Sequence, residues 1–391
     1  MNWPLVRVNS VSEINPRLPK GTDEAQEVSF LGMASVSEDG YLLDEELRVL
    51  SDTKKGFTYF AKGDVLLAKI TPCFENGKCL RPNQITSNIG FGSTEFHVIR
   101  ASEEHLDSKY LFYMLWSDHL RLYGRSSMSG AAGQKRVPAD FIKGYQIPLP
   151  PLKEQKRIAA ILDKADNLRL KRQQAIQLAD EFLRAVFLDM FGDPVTNPKG
   201  WDVKPLKDMA KVTTGNTPSR SEPDYYGDYI EWIKSDNINT PSNFLTTAKE
   251  CLSEKGYEVG RHVSAGSTLI TCIAGSFDCI GNAAFADRQV AFNQQINALT
   301  PKQGINSWFL YALVIFSKTH IQAASTNSMK GMISKGKMEV IQFICPSESL
   351  QMKFEKVFSH CRDNREKMDE SMLEINNMFS SINQKAFSGQ L

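Results

Sequence analysis

The sequence predicts an α+β protein in which two similar α/β domains alternate with two long helices, and in which the helices pair as an antiparallel coiled coil. Three observations lead to this fold class. The chain of 391 residues repeats its own order of segments about halfway along its length. Strand-like runs bounded by Gly, Asn, Pro and Ser occupy the first part of each repeat. A charged helical segment with apolar residues every seven positions closes each repeat.

The internal repeat consists of six matched segments that keep the same order in both halves. The matches pair "WPLVRV" at residue 3 with "WDVKPL" at 201, "FAKGDVLLAKI" at 60 with "VSAGSTLITCI" at 263, "FGSTEFHVI" at 91 with "FNQQINALT" at 292, "LFYML" at 111 with "FLYAL" at 309, "SMSG" at 127 with "SMKG" at 328, and "PPLKEQKRIAAIL" at 150 with "PSESLQMKFEKVF" at 346. The offset stays between 196 and 203 residues, as expected for a diverged duplication with small changes in loop length.

Each half closes with a long helical segment, roughly 152–190 and then 348–387. Pro150 and Pro151 fit the first turn of the first helix, where proline is tolerated. Counting sevens gives the series Ile158, Ala165, Arg172, Ala179, Val186; the series Ile161, Leu168, Ala175, Phe182; and the series Leu162, Ile176, Leu183, Met190. In the second helix the sevens run Phe354, Cys361, Met368, Ile375, Ile382.

The periodicity predicts two paired rods with a globular domain at each end. We expect burial between the helices at Ile161, Leu168, Phe182, Val357, Ile375 and Met378. The alternative is two ordinary amphipathic helices, each packed on its own domain. Four segments follow: a domain over 1–150, a helix over 151–192, a second domain over 193–346 and a second helix over 347–391.

Composition excludes several classes of protein. The formal net charge is +1, so a nucleic-acid surface would have to be local. We find no run of about 18 apolar residues and no apolar core of a signal peptide, so we expect no membrane contact. The seven cysteines lack the second Cys or His pair that a zinc site requires, which indicates reduced thiols and a cytoplasmic location.

The sequence contains no catalytic constellation. It lacks a Gly-rich cofactor loop followed by an Asn/Asp-Pro-Pro-aromatic motif, and it lacks a phosphate-binding loop. A nuclease-like set could join Asp140 to Glu154 and Lys156, but charged residues of this kind are common where a helix starts. We therefore expect no catalytic residue, no metal site and no cofactor in this chain.

A matched pair of basic loops is the strongest functional signal. Residues 121–137 carry four Lys or Arg and no acid, and residues 318–338 do the same. Both loops are rich in Gly, Ser, Asn and Gln. Cations and amides on a flexible backbone suit phosphate clamping and reading of base edges. The alternative is a pair of solvated loops without a ligand.

The residues also resemble a known family. "IPLPPLKEQKRIAAILDKAD", from residue 147, resembles the proximal conserved region of type I restriction–modification specificity (S) subunits. "GWDVKPLKDMAKVTTGNTPSRSEPDYYGDYIEWIKSDNI", from residue 200, is similar to the opening of a target recognition domain of that family, as are "YFAKGDVLLAKITPCFENGK", "GSTEFHVIR" and "AFNQQINALTP". The resemblance covers nearly the whole chain. The second helix departs from it, because "CPSESLQMKFEKVF" keeps Pro346 and Gln351 but lacks the double proline and the Glu.

This resemblance implies a non-catalytic specificity subunit of a multisubunit adenine-specific DNA methyltransferase and endonuclease. Each target recognition domain would read one half of a bipartite site in double-stranded DNA, and the helices would set the unread gap. The helices would also dock two modification (methyltransferase) subunits. Restriction subunits would join as translocase and endonuclease. S-adenosylmethionine, ATP and Mg would be bound by these partner subunits.

We expect DNA contacts from the basic loops and from the polar tips beside the matched strands. In the first half these are Lys69, Thr71, Ser93, Thr94, Gln134, Lys135 and Arg136. In the second half they are Ser276, Asn293, Gln294, Gln295, Lys330, Lys335 and Lys337. For partner docking we expect Glu154, Gln155 and the exposed parts of both helices.

Two other functions remain open from the sequence. The chain could be the recognition portion of a fused methyltransferase–nuclease, in which case the isolated chain would bind S-adenosylmethionine weakly. It could instead be a helical protein-binding adaptor, which would bind its partner in a salt-insensitive way and would not shift DNA.

Overall fold

The computed structural model of the chain describes residues 3–131, 133–325 and 331–391. These residues form two compact units. Unit one consists of residues 1–173 together with 370–391, and unit two consists of residues 174–369. Each long helix therefore contributes one segment to each unit, whereas the sequence-based division treats the helices as separate spacers.

The described residues of unit one form three sheets and five short α-helices. Its strands are β1 (Leu5–Arg7), β2 (Ser12–Ile14), β3 (Glu27–Leu31), β4 (Glu46–Val49), β5 (Thr58–Ala61), β6 (Val65–Ala68), β7 (Cys79–Leu80), β8 (Ile89–Gly92), β9 (Phe96–Ala101) and β10 (Gln146–Pro148). Its short helices are α1 (Val8–Val11), α2 (Leu50–Thr53), α3 (Ser108–Leu115), α4 (Asp118–Ser127) and α5 (Ala139–Gly144). The strand orders are β1-β10, β2-β9-β6-β7 and β4-β3-β8-β5.

The first long helix, α6, runs from Leu152 to Phe191. The strands of unit two are β11 (Val203–Pro205), β12 (Ala210–Thr214), β13 (Tyr226–Gly227), β14 (Ile230–Ile233), β15 (Cys251–Leu252), β16 (His262–Val263), β17 (Thr268–Thr271), β18 (Ala283–Phe285), β19 (Val290–Phe292), β20 (Ile296–Pro301) and β21 (Gln342–Ile344). Its short helices are α7 (Leu206–Met209), α8 (Glu254–Val259), α9 (Ser307–Phe316), α10 (Lys318–Ala323) and α11 (Lys335–Glu339). The second long helix, α12, runs from Glu348 to Ser388.

The sheets of the two units correspond, with one additional strand in the third sheet of unit two, which confirms the predicted duplication. Unit two has the strand orders β11-β21, β12-β20-β17-β18 and β13-β15-β14-β19-β16. In each unit a single strand pair is parallel among the pairings of the described residues, β3 with β8 and β14 with β19. The apolar helix that follows the last long strand is capped alike in both units, by Asp107 before α3 and by Asn306 before α9. Each cap side chain accepts two backbone N–H groups of the first turn.

Buried positions on the long helices follow a heptad seam. Gln155, Ile158, Leu162, Ala165 and Arg169 are buried and are spaced by three and four residues in alternation. On α12, 196 residues later, Gln351, Phe354 and Phe358 are buried, while Cys361 and Arg365 are half-buried. Three- and four-residue spacing keeps side chains on one face of a helix, so this face forms the packing surface.

The helix segments within each unit run antiparallel, as predicted. In unit one, Arg157 donates to the carbonyl of Leu391 at 3.1 Å, and twelve residues further along α6 the guanidinium of Arg169 lies 5.8 Å from the ring of Phe379. In unit two, the ring of Phe187 lies 5.5 Å from that of Phe354, while Asp180 pairs with Arg365. Higher numbers on α6 meet lower numbers on α12 in both cases.

Several residues predicted to be buried between the helices lie beside the seam and not in it. Leu168, Phe182 and Met378 were expected to be buried, but they are 46%, 56% and 41% exposed. Ile161 and Val357 are half-buried, and Ile375 is buried as expected. The seam follows the series that contain Ile158 and Leu162. Three apolar series on one helix cannot all face the core, and periodicity alone does not rank them.

A glutamine at the start of each long helix ties three chain segments together. Gln155 Oε1 accepts from the backbone N–H of Asp107 at 2.8 Å, while its Nε2 donates to the carbonyls of His105 and Pro150, each at 2.8 Å. Gln351 repeats this arrangement with the N–H of Asn306 and with the carbonyls of Gly304 and Pro346. We call each set of contacts a glutamine knot. It joins the long helix to the turn before it and to the N-terminal cap of α3 in unit one or of α9 in unit two.

The two units differ in how the helices fill their cores. In unit two, Phe187 and Phe191 are fully buried and pack against Phe309 and Phe354. The position 196 residues after Phe187 is Asn383, which lines a groove of about 1450 Å³ in unit one. Trp116 and Phe379 line the same groove. Within the described residues no helix combines the length and the apolar composition needed to cross a membrane.

We predict that Leu162→Ala lowers the free energy of unfolding by about 2–5 kcal/mol, because it opens a cavity in the seam. Leu168→Ala, on the same helix, should change it by less than about 1 kcal/mol, because that side chain already meets solvent. Urea denaturation of both variants measures the difference. Equal losses would show that the seam has been placed wrongly.

We also predict that Gln155→Leu destabilises unit one by about 2–3 kcal/mol, because three backbone groups lose the hydrogen bonds that the buried Gln155 amide makes to them. Gln174→Leu, on an exposed position of the same helix, is the matched control and should stay within about 0.5 kcal/mol of the wild type. Thermal and urea unfolding provide the measurement. A neutral Gln155→Leu would mean that the knot contributes nothing to stability.

Candidate nucleic-acid interface

Three separate segments of unit one meet at one end of its second sheet. The residue after β6 donates to the turn between β8 and β9, from Lys69 N to Glu95 O at 2.9 Å. The basic loop then joins them, because Val137 N donates to Lys69 O at 2.8 Å and Thr71 N donates to Lys135 O at 2.9 Å. We call residues 69–71, 93–95 and 134–137 loop cluster one. All seven DNA contacts predicted for the first half lie in it.

The predicted residues of loop cluster one differ in how much of each side chain is exposed to a ligand. Thr94, Gln134 and Lys135 are exposed, while Lys69 and Arg136 are half-buried. Thr71 and Ser93 are half-buried as well, and their hydroxyls bond inside the cluster. Thr71 donates to Glu75 at 3.2 Å, and the hydroxyl of Ser93 accepts from Glu95 N at 3.2 Å. The side chains of Thr94, Gln134 and Lys135 are therefore the most accessible to a ligand.

Sequence reasoning missed the acid of loop cluster one. Glu95 and Arg136 form a bidentate ion pair, with Nε 2.9 Å from Oε2 and Nη2 2.8 Å from Oε1. The hydrogen bonds from Arg136 lower the pKa of Glu95, so the carboxylate is ionised at neutral pH. The stretch "GSTEF" contains Glu95, but its partner lies 41 residues away. No local pattern links the two.

A buried histidine supports the basic loop from below. His97 on β9 bonds the carbonyl of Val137 through Nε2 at 2.8 Å. Because a carbonyl only accepts, Nε2 carries the proton. Burial lowers the pKa of His97, so the ring is neutral at neutral pH. Its Nδ1 has no hydrogen-bond partner among the described residues. The histidine thus positions the loop and is not itself at the surface.

Unit two repeats the arrangement. Cys272 N donates to Gln295 O at 2.7 Å, and Ile333 N donates to Cys272 O at 2.9 Å. We call residues 272–273, 293–295 and 332–333 loop cluster two. These bonds equate Glu95 with Gln295, an offset of 200 residues. The sequence match of "FGSTEFHVI" with "FNQQINALT" is therefore shifted by one residue. It aligned Phe91 with Phe292, an offset of 201, although the turns that follow these residues correspond at an offset of 200.

The predicted contacts of the second half are less concentrated. Gln294 is exposed and accepts from the hydroxyl of Thr217, and Gln295 is half-buried. Ser276 is exposed in the loop after β17. Asn293 is only 6% exposed, and its amide bonds Gln295 at 3.0 and 3.1 Å. Asn293 therefore shapes the turn and does not present a contact surface, contrary to the expectation.

The second basic segment is not one continuous loop. Lys335 and Lys337 lie on the short helix α11, both exposed, and Lys335 is 3.6 Å from Glu339. Lys318, on α10, donates to the carbonyl of Asp278 at 2.7 Å and to Asn282 at 2.6 Å, so it holds the loop that follows β17. Lys330 lies outside the described residues.

The predicted partner contacts separate into two kinds. Gln155 is fully buried in its glutamine knot, so it has no surface to offer a partner. Gln155 was predicted to contact a partner because it lies among charged residues at the start of a helix, but its amide has a structural role. Glu154 remains half-buried and pairs with Arg157 at 2.7 Å, and the hydrogen bond from Arg157 lowers the pKa of Glu154.

A second feature of unit two also escaped sequence reasoning. Arg220, in the loop after β12, lies 4.2 Å from the ring centre of Tyr226 and pairs with Glu250 at 2.9 Å. Lys234 pairs with the same carboxylate. Hydrogen bonds from Arg220 first, and from Lys234 next, lower the pKa of Glu250 to about 2. Thr217 of this loop touches Gln294, so the loop borders loop cluster two.

No group of three or more His, Cys, Asp or Glu side chains in the described ranges is arranged to hold a metal ion. Loop cluster one combines amide, hydroxyl and cationic side chains with the carboxylate of Glu95, whereas loop cluster two presents the amides of Gln294 and Gln295. Amides, hydroxyls and cations donate to phosphate oxygens and to base edges.

Comparison with known proteins gives matches over most of the chain. A family model described as the type I restriction modification DNA specificity domain matches residues 1–179 and again residues 198–364. The EcoEI specificity subunit of a type I restriction enzyme from Escherichia coli is 42% identical over 164 residues, covering 41% of this chain and 27% of that protein. The match thus spans about a quarter of that relative's length. The HindI specificity subunit from Haemophilus influenzae is 22% identical, over 84% of this chain and 86% of that one.

Solved structures support the fold. A chain from a type I R-M system, whose structure addressed complex assembly and conformational transition, has a TM-score of 0.59 at 18% identity and covers 100% of this chain and 98% of its own length. The S subunit of a type I restriction–modification system from M. genitalium has a TM-score of 0.58 at 13% identity, with coverage of 99% and 96%. Because the specificity-domain model covers residues of both units, the chain belongs to the family of type I restriction modification DNA specificity domains.

Proposed function

We propose that this chain is the non-catalytic subunit that gives a type I restriction–modification complex its DNA sequence specificity. The observation that carries this proposal is the recurrence of the same loop cluster in both units, each at the end of a matched sheet and each bearing polar groups at its surface. Two such clusters suit a bipartite site, in which each unit reads one half.

The chemistry of the clusters suits DNA. Lys69 and Lys135 form no ion pair among the described residues, so their ammonium groups are available to phosphate oxygens. Gln134 and Gln294 are exposed amides, which can both donate to and accept from base edges. Phosphate contacts fix the position of a protein on the duplex, whereas contacts with base edges supply sequence information.

The partners would perform the chemistry. Modification subunits with S-adenosylmethionine would methylate adenine, which requires the base to leave the stack. Restriction subunits would use ATP and Mg to move and cut unmethylated DNA. The long helices α6 and α12 would hold the recognition units apart and so fix the unread gap. A division of labour of this kind is compatible with a net charge of +1 on the specificity subunit.

An exposed apolar stripe on α6 is our candidate for docking of the modification subunits. Leu178 and Phe182 are 63% and 56% exposed and lie four residues apart, so they share one face of the helix. Large apolar side chains on an otherwise charged helix indicate a protein contact. This stripe replaces Gln155 as the expected docking site.

The proposal predicts that a split methylated motif in host DNA depends on this gene. We would express the chain with its genomic neighbours and map methylated adenines by sequencing, with and without the gene. The motif should vanish when the gene is deleted, and exchange of residues 1–150 for those of a relative should alter one half only. A motif that persists without the gene would refute the proposal, and a complex that forms without any motif would favour an adaptor.

We further predict that the double variant Leu178→Glu and Phe182→Glu loses co-purification with the modification subunits, because two carboxylates would have to be buried at the contact. The isolated variant should unfold like the wild type, since both side chains already meet solvent. Leu47→Glu, at an exposed position of β4, is the control and should co-purify normally. Retention of the partner by the double variant would exclude this stripe as the docking surface.

A further inference from the structure

The geometry of Arg136 points to a base identity. We propose that Arg136, oriented by Glu95, donates to a guanine in the major groove, so that the half-site read by unit one contains an obligatory G·C pair. This inference rests on the proposed function and adds to it the class of base pair that unit one selects. It also gives Glu95 the role of a positioning residue.

Some N–H donors of Arg136 are hydrogen-bonded within the protein and others are not. A guanidinium carries five N–H groups. Three are bonded internally, Nε and Nη2 to Glu95 and Nη1 to the carbonyl of Gln134 at 3.2 Å. Two N–H groups, one on each terminal nitrogen, have no acceptor among the described residues. The side chain is 42% exposed, so these two donors are accessible to a ligand.

The supporting carboxylate is itself fixed by the backbone. Glu95 sits in the turn between β8 and β9, where its carbonyl accepts from Lys69 N and its N–H donates to the hydroxyl of Ser93. The loop that carries Arg136 is held by Lys69 O and by His97, both through Val137. The guanidinium plane is therefore held from two sides. Little conformational entropy remains to be lost when it binds.

A fixed pair of donors favours guanine over phosphate. Guanine presents two acceptors, O6 and N7, side by side in the major groove, and arginine bonding both is the commonest specific contact with a base. A phosphate needs no fixed plane, and the exposed ammonium of Lys135 can supply such a contact as a point charge. Lys135 can therefore contact the phosphate backbone of the DNA, which leaves the two unpaired donors of Arg136 for a base.

Unit two lacks this device. The bridge between residues 70 and 136 corresponds to the bridge between Ile273 and Met332, so a methionine stands where unit one has arginine. Gln295 stands where unit one has Glu95. Loop cluster two therefore has no cation–carboxylate pair at this point, and changes at Arg136 should leave the half-site of unit two unaffected.

The experiment uses the complete methyltransferase complex and its mapped motif, with exchange of residues 1–150 to identify the half read by unit one. Binding to duplexes in which each pair of that half is replaced in turn is measured for wild type, Arg136→Ala, Arg136→Lys and Glu95→Gln. We expect one G·C position at which Arg136→Ala lowers discrimination by roughly ten- to a hundredfold, with the other half unchanged. Arg136→Lys keeps the charge and loses the paired donors, so it should behave like Arg136→Ala.

Two further variants distinguish positioning from general structure. Glu95→Gln should reduce discrimination at the same G·C position, and adding it to Arg136→Ala should cause no further loss. Lys135→Ala, the matched control, should weaken binding to every duplex equally and make it less sensitive to salt. These readouts concern one base pair, which a general loss of stability would not select.

Several outcomes overturn the inference while leaving the proposed function intact. They are a half-site of unit one without any G·C pair, a discrimination profile that Arg136→Ala leaves unchanged, and a uniform loss of affinity in Arg136→Ala, which would mark a phosphate contact. If instead no methylated motif depends on the gene, the proposed function itself fails, and the inference fails with it.

Discussion

The packing of a heptad seam on each long helix is the constraint on which the rest of the molecule depends. Within unit one the seam of α6 buries Ile158 and Leu162 in the same core as α3, β6 and the end of α12. Within unit two the seam of α12 buries Phe354 and Phe358 with α9. A side chain in the seam therefore packs against both the other long helix and the sheets and short helices of its own unit. Arginines 169 and 365 interrupt the apolar series at equivalent positions, and each finds acidic partners there. Charged residues at such positions must be paired, which restricts the registers that the helices can adopt.

The fold was largely predictable because its signals repeat. The bounds of the long helices, Leu152–Phe191 and Glu348–Ser388, lie within a residue or two of those read from the heptads. The candidate surface was only partly predictable. Lys135 and Gln134 could be found because cations and amides without acids form a local pattern. Glu95 could not, because its partner is distant in sequence and only the sheet brings the two together. Asn293 and Gln155 failed for a related reason: an amide that bonds buried backbone looks the same in sequence as one that awaits a ligand.

The two units share a topology but not a core. Phe187 and Phe191 fill the space beside α9 in unit two, whereas the corresponding stretch of α12 is polar at Asn383 and leaves a groove in unit one. Loop clusters one and two diverge in the same manner, with an Arg–Glu pair in one and an amide turn in the other. Two backbone hydrogen bonds of the loop clusters recur in both units, from Lys69 N or Cys272 N to the turn carbonyl and from Val137 N or Ile333 N to the strand end. Side chains could therefore change on either face of a unit while the backbone frame stayed as it was.

The glutamine knots have a mechanical consequence. The side-chain amide of Gln155, on α6, bonds both the turn before α6 and the residues at the N-terminal cap of α3. These segments therefore cannot bend independently. In unit one, β9 leads from loop cluster one to His105 and Asp107, the residues to which Gln155, in the first turn of α6, bonds. Gln351 provides the same stiff joint between α9 and α12 in unit two. A displacement of either loop cluster would therefore reach the base of a long helix along a short path of hydrogen-bonded segments.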